Sequence, residues 1–388
     1  MPDPSPSEPI RFNRAAIVGN ELAYVRDSIE SGRTSAGGPY TAKAAELIRE
    51  HTGAREVLLT TSCTAALELS ALMLDFEPGD TVVVPSFTFT ATALAFARQG
   101  ARLVFCDIEA RTLGLDPEHL ASLLDETVRA VVVVHYAGVA CDVEGVRGVL
   151  ADRPDIALIE DNAHGYLGTW RGATLGTLGR FAAQSFHETK NIVCGEGGAL
   201  LLNDDADIDR ARILYDKGTN RRAFMLGQVD KYSWKDTGSS FGMSDTLAAY
   251  LYAQLECATA IQSARRAVHR RYEERLAPHA GELGFEIAHP PSDRGSAYHM
   301  FYVLLPDRST RDRVMHDMQA CGVNAVFHYV PLHDSEGGRR FAARSTTCPV
   351  TDDISGRLLR LPFYNDLNEA TIDRVSDVFL DAVAGSRE

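Results

Sequence analysis

Short apolar runs of four or five residues recur between residues 55 and 205: VLLT (57–60), TVVVP (81–85), RLVFC (102–106), AVVVV (130–134), IALIE (156–160) and GALLL (198–202). Segments of helical period separate them. A run that is apolar on both faces must be covered on both sides, so this strand and helix repetition predicts an α/β chain with a mostly parallel central sheet. Such sheets carry their chemistry at the carboxyl ends of the strands. After residue 205 a polar, Gly/Ser-rich stretch, KGTNRRAFMLGQVDKYSWKDTGSSFGMSD, precedes a long helical pattern from Thr246 to Leu276. Beyond it HMFYVLLP reads as a strand, RSTRDRVMHDMQACG as a helix and NAVFHYVPL as a strand, a small α+β unit ending near Leu380. The expected organisation is a flexible leader over residues 1–10, a large domain over 11–250 and a small C-terminal domain over 251–388. No internal repeat interrupts it.

Bulk properties narrow the function. A chain of 388 residues with 45% hydrophobic and 24% charged residues has an ordinary globular composition. Its formal net charge of −14, without a long Lys/Arg block, argues against nucleic acid and anionic membrane as partners, since both require a basic surface. Any anionic ligand must be met by locally placed donors. Seven cysteines without CxxC or Cys/His ligand spacing predict buried thiols in a reducing compartment, with no disulfide framework and no metal site. The start MPDPSPSEP lacks the order of a secretory signal, and no window approaches the ~18 apolar residues of a membrane span, so the expected location is cytoplasmic.

Four features fall at predicted strand ends. Ser62, Cys63 and Thr64 follow VLLT where a helix begins; they read either as a helix cap or as a phosphate cradle built from the free N–H groups. Phe87 follows TVVVP, as core filler or as a platform for a flat ring. Asp161 ends IALIE, followed by Asn162, Ala163 and His164; a carboxylate there is either a loop cap or the partner of a protonated ring nitrogen. Finally, in SFHETKN (185–191), Lys190 sits between a strand and the turn Gly195-Glu-Gly-Gly198. A lone lysine is normally solvated. Phosphate cradle, stacking aromatic, strand-end carboxylate and lysine in this order are nevertheless what pyridoxal phosphate requires, the lysine amine being the nucleophile that its aldehyde needs.

The stretches GGPYTAKAAELIREHTGA, TSCTAAL, PGDTVVVPSFTFTATA, FCDIEARTLGLDPE, HYAGVACDV, EDNAHG, SFHETKNIVCGEGGALLLND, KGTNR, VDKYSWKDTGSS, MSD and FHYVPLH together resemble the DegT/DnrJ/EryC1/StrS sugar aminotransferases over nearly the whole chain after residue 10. Within that family, SFHETKN, KGTNR and VDKYSW are most similar to the dTDP-4-oxo-6-deoxyglucose 4-aminotransferases of enterobacterial common antigen and antibiotic-sugar type. The resemblance implies the aspartate-aminotransferase-like fold known as fold type I, and a homodimer with shared active sites. It also implies amino transfer from L-glutamate to C4 of dTDP-4-oxo-6-deoxy-D-glucose, giving a 4-amino-4,6-dideoxyhexose. By matching position, Lys190 is the covalent lysine, Asp161 the partner of the pyridine nitrogen, Phe87 the stacking ring and His164 the neighbour of the phenolic oxygen. Ser62, Cys63, Thr64 and Ser185 match the phosphate positions.

Two departures from the family pattern stand out. The usual Ser-Gly-Thr is here Ser62-Cys63-Thr64, which keeps the backbone N–H and is harmless unless the turn needs positive φ. The family's Asn that reaches the partner's phosphate aligns with Ser240, and Asn220 is the alternative. Arg221, Lys231, Tyr232, Trp234 and Asn220 are the expected substrate contacts in the polar stretch, with His328, Tyr329 and His333 closing the site from the C-terminal unit. Rival readings are an aminotransferase for another nucleotide keto-sugar (3-amino or perosamine type) and a non-catalytic PLP-binding regulator. Relatives that dehydrate at C3 carry histidine in place of the lysine, so Lys190 argues against that reaction.

Overall fold

The structure, a computed structural model, describes residues 9–385. Its strands in chain order are β1 (Glu56–Thr60), β2 (Thr81–Pro85), β3 (Arg102–Cys106), β4 (Val128–Val134), β5 (Ala157–Asp161), the short β6 (Thr169–Trp170) and β7 (Ala173–Thr174), β8 (Phe181–Ser185) and β9 (Gly198–Leu202). Seven of them form one sheet in the order β1-β9-β8-β5-β4-β2-β3. GALLL, which is β9, runs antiparallel to both its neighbours, while the other six strands share one direction. The run FAAQS, short of branched residues, supplies β8.

Alternation along β4 explains why the strands read as continuous apolar runs. Ala130 and Val132 face a core closed by helices Cys63–Leu72 and Thr90–Arg98, whereas Val131 and Val133 face one closed by helices Pro117–Leu123 and Val143–Val149. Each fully buried valine contributes roughly 1.5–3 kcal/mol, so both faces select branched residues. All six expected runs are strands, and the shared direction of five of them, with β8, brings their carboxyl ends to one edge; GALLL runs the other way.

The C-terminal part carries β10 (Glu286–Ile287), β11 (Arg294–Gly295), β12 (Tyr302–Leu304), β13 (Val326–Phe327) and β14 (Leu358–Arg360). Four of these make an antiparallel sheet, β10-β12-β14-β13, whose core includes Val303, Leu359, Leu361, Phe301 and Phe379. The opposite side of that sheet, with Tyr302 and Leu358, joins Phe87, Ile108, Leu113 and Tyr136 in a layer between the two sheets.

Three expectations need correction. The single helix expected over 246–276 is two, Asp245–Glu256 and Ala258–Leu283, broken at Cys257. The break is where the N-terminal arm docks: Gln254 Nε2 donates to Ala16 O (2.9 Å) and Glu21 Oε1 (2.6 Å), and Glu21 in turn accepts from the N–H groups of Val18 and Gly19. The leader expected over 1–10 lies outside the described residues up to residue 8, but Ile10 is buried in the C-terminal core and donates its N–H to Gly322 O (2.7 Å). The cysteines are all free thiols, yet only Cys106, Cys141, Cys194 and Cys348 are buried; Cys63 and Cys257 are half-buried and Cys321 is exposed.

Candidate active site

The strand ends converge on Asp161. It closes β5, is buried, and accepts Thr92 Oγ1–H at Oδ2 (2.7 Å) and Ala163 N–H at Oδ1 (3.1 Å). Thr92 is itself fixed by Thr88 (2.8 Å), one helical turn earlier. Burial raises the Asp161 pKa, while Thr92, the Ala163 amide and the charges of Lys190 and His135 oppose the rise. Among the described residues, no basic side chain forms an ion pair with this carboxylate. Remaining lone pairs are therefore open to a cationic ring N–H.

Lys190 lies on the link between β8 and β9, its N–H bonded to His187 O (2.9 Å). Burial pushes its ammonium down to about 8; Asp161 works against that shift and Arg360 with it. The adjacent Asn191 latches the link, donating Nδ2–H to Ala297 O (2.6 Å) and accepting His299 Nδ1–H (2.9 Å). His299 stacks on His164 at 4.2 Å and 16°. His164 is buried, its Nδ1 has no hydrogen-bond partner, and burial lowers its pKa far below the ordinary value. A neutral imidazole beside Lys190 follows.

Ser62 caps helix Cys63–Leu72, its Oγ accepting Ala65 N–H (3.1 Å), so Cys63 and Thr64 supply the first free N–H groups of that helix. Cys63 does not have positive φ, which answers the sequence departure: this turn does not need glycine. Glycine is needed opposite, because a Cβ on Gly198 would lie 2.4 Å from Ser62 C and 2.5 Å from Cys63 N. Ser185 pairs across from Gly198 and is buried there. Phe87 is wholly buried, 5.2 Å from Tyr136 and edge-on to Tyr329 at 5.5 Å.

From the C-terminal sheet, His328 bonds the hydroxyl of Tyr136 through Nδ1 (3.1 Å), accepts from Arg360 Nη1 at Nε2, and stacks on Tyr329 at 3.8 Å. His333 docks on Ser86, next to Phe87 (Nδ1···Oγ 2.7 Å). The structure thus brings Ser62, Cys63, Thr64, Phe87, Asp161, His164, Ser185, Lys190, His328 and Tyr329 to one edge. It does not gather Asn220, Arg221, Lys231, Tyr232, Trp234 and Ser240 there within a single chain: all are on an exposed loop, Trp234 being 82% exposed. Asn220 pins that loop, its Oδ1 accepting Ser233 N–H (2.7 Å) and its Nδ2 donating to Lys231 O (3.2 Å). Ser240 bridges Asp216.

Sequence reading overlooked Thr92, Tyr136, His299 and Arg360. Tyr136 follows the end of β4, so the strand-end rule would have found it. Arg360, a lone cation in the apolar run LLRLPF, carries the signal of a charge rarely buried without purpose. Thr92 and His299 left no such mark.

These residues fit pyridoxal phosphate. Asp161 has accepting capacity to spare for a ring N–H, the orphaned His164 Nδ1 can bond a phenolic oxygen, and the Cys63 and Thr64 amides can take phosphate oxygens.

A family model for the DegT/DnrJ/EryC1/StrS aminotransferase family matches residues 15–380. Among solved structures, the aminotransferase TlmJ from Streptoalloteichus hindustanus is 29% identical with a TM-score of 0.89, over 98% of this chain and 100% of that one. The sugar aminotransferase CalS13 from Micromonospora echinospora is 25% identical with a TM-score of 0.82, over 96% and 99%. Spr1654 from Streptococcus pneumoniae, in its PMP form, is 24% identical with a TM-score of 0.89, over 97% and 99%.

Proposed function

The chain belongs to the DegT/DnrJ/EryC1/StrS aminotransferase family, and from that premise we propose that it transfers the amino group of L-glutamate to C4 of dTDP-4-oxo-6-deoxy-D-glucose with pyridoxal phosphate as cofactor. The observation that carries this reading is the placement of a half-buried Lys190, its ammonium pushed down to about 8, beside the carboxylate of Asp161 at the same sheet edge. The substrate assignment is supported by SFHETKN, KGTNR and VDKYSW, and by similarity to a sugar aminotransferase.

When bound, pyridoxal phosphate supplies an aldehyde conjugated to an electron-accepting ring. Asp161 keeps a ring N–H protonated, since its own charge is held by Thr92 and the Ala163 amide. Phe87 lends a face for stacking, and Ser62, Cys63, Thr64 and Ser185 hold the phosphate end. Lys190 gives the covalent anchor and then moves the proton at the donor's α-carbon, acting as base and acid in turn. An amine with pKa about 8 is matched to both roles near neutral pH.

The exposed loop with Asn220, Arg221, Lys231, Tyr232, Trp234 and Ser240 serves a homodimer in this reading, reaching the nucleotide sugar and phosphate in the partner's site. Its apolar side chains Phe224, Met225, Leu226 and Trp234, all more than a third exposed, support burial against a second copy.

The test is incubation of the holoenzyme with dTDP-4-oxo-6-deoxyglucose and glutamate, followed by NMR of the product. A 4-amino sugar is expected, and its ring proton couplings assign the configuration at C4. Recovery of unchanged keto-sugar, with another keto-sugar aminated instead, would overturn the substrate.

A further inference from the structure

Building on that reading of the site, we infer that His299 is a positioning residue for the reaction: anchored by Asn191, its ring is the plate that holds the His164 imidazole in the orientation from which it meets the cofactor's phenolic oxygen. The last torsion of a histidine is soft, so packing has to choose the angle of the ring. At His164 no hydrogen bond helps through Nδ1, which is buried and unpartnered. Planes do the setting. Tyr136 meets the ring edge-on at 5.8 Å and 70°, and His299 covers it face to face at 4.2 Å and 16°.

Asn191 settles how His299 stands. Its Nδ2–H goes to Ala297 O (2.6 Å), a carbonyl that can only accept, so Oδ1 is turned toward His299 Nδ1 (2.9 Å) and that nitrogen carries the proton. A backbone carbonyl thereby fixes the tautomer. The main chain is held as well: Ala297 N–H donates to Gly138 O (2.8 Å), His299 N–H to Ala137 O (3.4 Å), and His299 O accepts from Arg265 Nη2 (2.6 Å). Both side chains of the pair are buried. Burial keeps the His299 ring neutral, and His164 after β5, Lys190 on the β8–β9 link, Arg265 on helix Ala258–Leu283 and Arg360 on β14 all oppose a second proton.

One amide registers two reacting groups. Asn191 follows Lys190 directly on the β8–β9 link, while Ala297 and His299 belong to the strap that runs from β11 into the C-terminal sheet. The link that bears the amine and the plate behind His164 are therefore set by the same side chain, across 106 and 108 positions of sequence. A pair that only stabilised the fold would be served by any buried donor satisfying Asn191 Oδ1. A positioning plate needs the flat ring itself.

The experiment has two arms. In the cofactor-free full chain carrying nitrogen-labelled histidine, NMR should show the ring of His299, assigned by its loss in His299→Asn, as the Nδ1–H tautomer without titration near the ordinary 6.5 of a histidine. In the holoenzyme, the pH midpoint of the bound cofactor's visible absorbance is compared in wild type, His299→Asn and His299→Phe. The asparagine keeps a donor at the place of Nδ1 and drops the plate. It should raise the midpoint by about half a unit to one unit, the worth of an aromatic pair expressed as a pKa. The direction follows because a loosened His164 donates less well to the phenolic oxygen, whose charge then holds a neighbouring proton more tightly. His299→Phe keeps the plate and strands Asn191 Oδ1, so it should lower the melting temperature and leave the midpoint near that of the wild type. An Nε2–H tautomer, an unmoved midpoint in His299→Asn, or a midpoint that merely follows the melting temperature through both variants overturns the inference. Should neither variant fold, the wild-type tautomer decides. If wild type transfers no amino group from any donor, the reading of the site fails; if it does and His299→Asn leaves the midpoint in place, only this inference fails.

Discussion

Asp161 and Lys190 owe their properties to opposite effects of burial. Desolvation raises a carboxyl pKa and lowers an ammonium pKa, so each group is pushed toward neutrality, and each is partly restored by the other's charge. Thr92 and the Ala163 amide tip Asp161 toward the anion, whereas Lys190 has Arg360 nearby and stays depressed. The pH consequence has a definite sign. With its pKa lowered from 10.5 to about 8, Lys190 binds fewer protons folded than unfolded between those values, so its contribution to stability grows as pH rises through that window. The same shift makes the free amine available early. Covalent capture of pyridoxal phosphate by the cofactor-free protein, followed by absorbance, should rise with pH to a midpoint near 8 and then level off; a rate still climbing toward the 10.5 of an ordinary lysine would show that the pocket does not depress the amine.

Elements position these groups through close backbone approach. The β8–β9 pair carries Lys190 on its connecting link, and β9 passes so near the Ser62–Cys63 turn that only glycine fits at residue 198. Gly198→Ala should therefore displace the helix end proposed to hold phosphate, and weaken pyridoxal phosphate binding in an equilibrium titration more than it lowers the melting temperature. Gly281 is the contrasting case: it lies inside helix Ala258–Leu283 with nothing within 4 Å of an added Cβ. Gly281→Ala should stabilise the protein by up to about 1 kcal/mol in denaturant unfolding without touching cofactor affinity. Glu160 shows how firmly the strand bearing Asp161 is anchored. Fully buried, it accepts from His135 Nε2 (2.9 Å) and from the N–H groups of Gly176, Leu178 and Gly179, each at 2.7 Å.

Across the whole molecule, the reacting edge is a seam. Tyr302, Leu358 and Arg360 from the C-terminal sheet meet Phe87 and Tyr136 from the large one, so donor and cofactor would be enclosed by side chains drawn from both ends of the sequence. The exposed loop 217–240 carries the apolar Phe224, Met225, Leu226, Tyr232 and Trp234 together with the basic Arg221 and Lys231, on a chain of net charge −14. Sedimentation should accordingly find a dimer at working concentration. A Met225→Asp, Trp234→Asp double variant should shift it toward monomer and lower kcat, although neither residue touches Lys190; a fully active monomer would dissociate the loop from catalysis.

The sequence by itself determined six of the seven strands of the large sheet, because a buried strand must be apolar on both faces and that signature is local; FAAQS, short of branched residues, escaped it. It also determined the order of the chemistry, since residues at strand ends share one sheet edge once the strands run the same way, as Ser62, Phe87, Asp161 and Ser185 do. The split at Cys257 escaped it because the docking arm, Ala16 to Glu21, lies far back in the chain. Only the tertiary structure decided that Thr92 would hold Asp161, that His299 would stack on His164, and that Arg360 would open beside Lys190. These contacts join residues 69, 135 and 170 positions apart, and no local period in a sequence records which distant side chain will meet a buried charge.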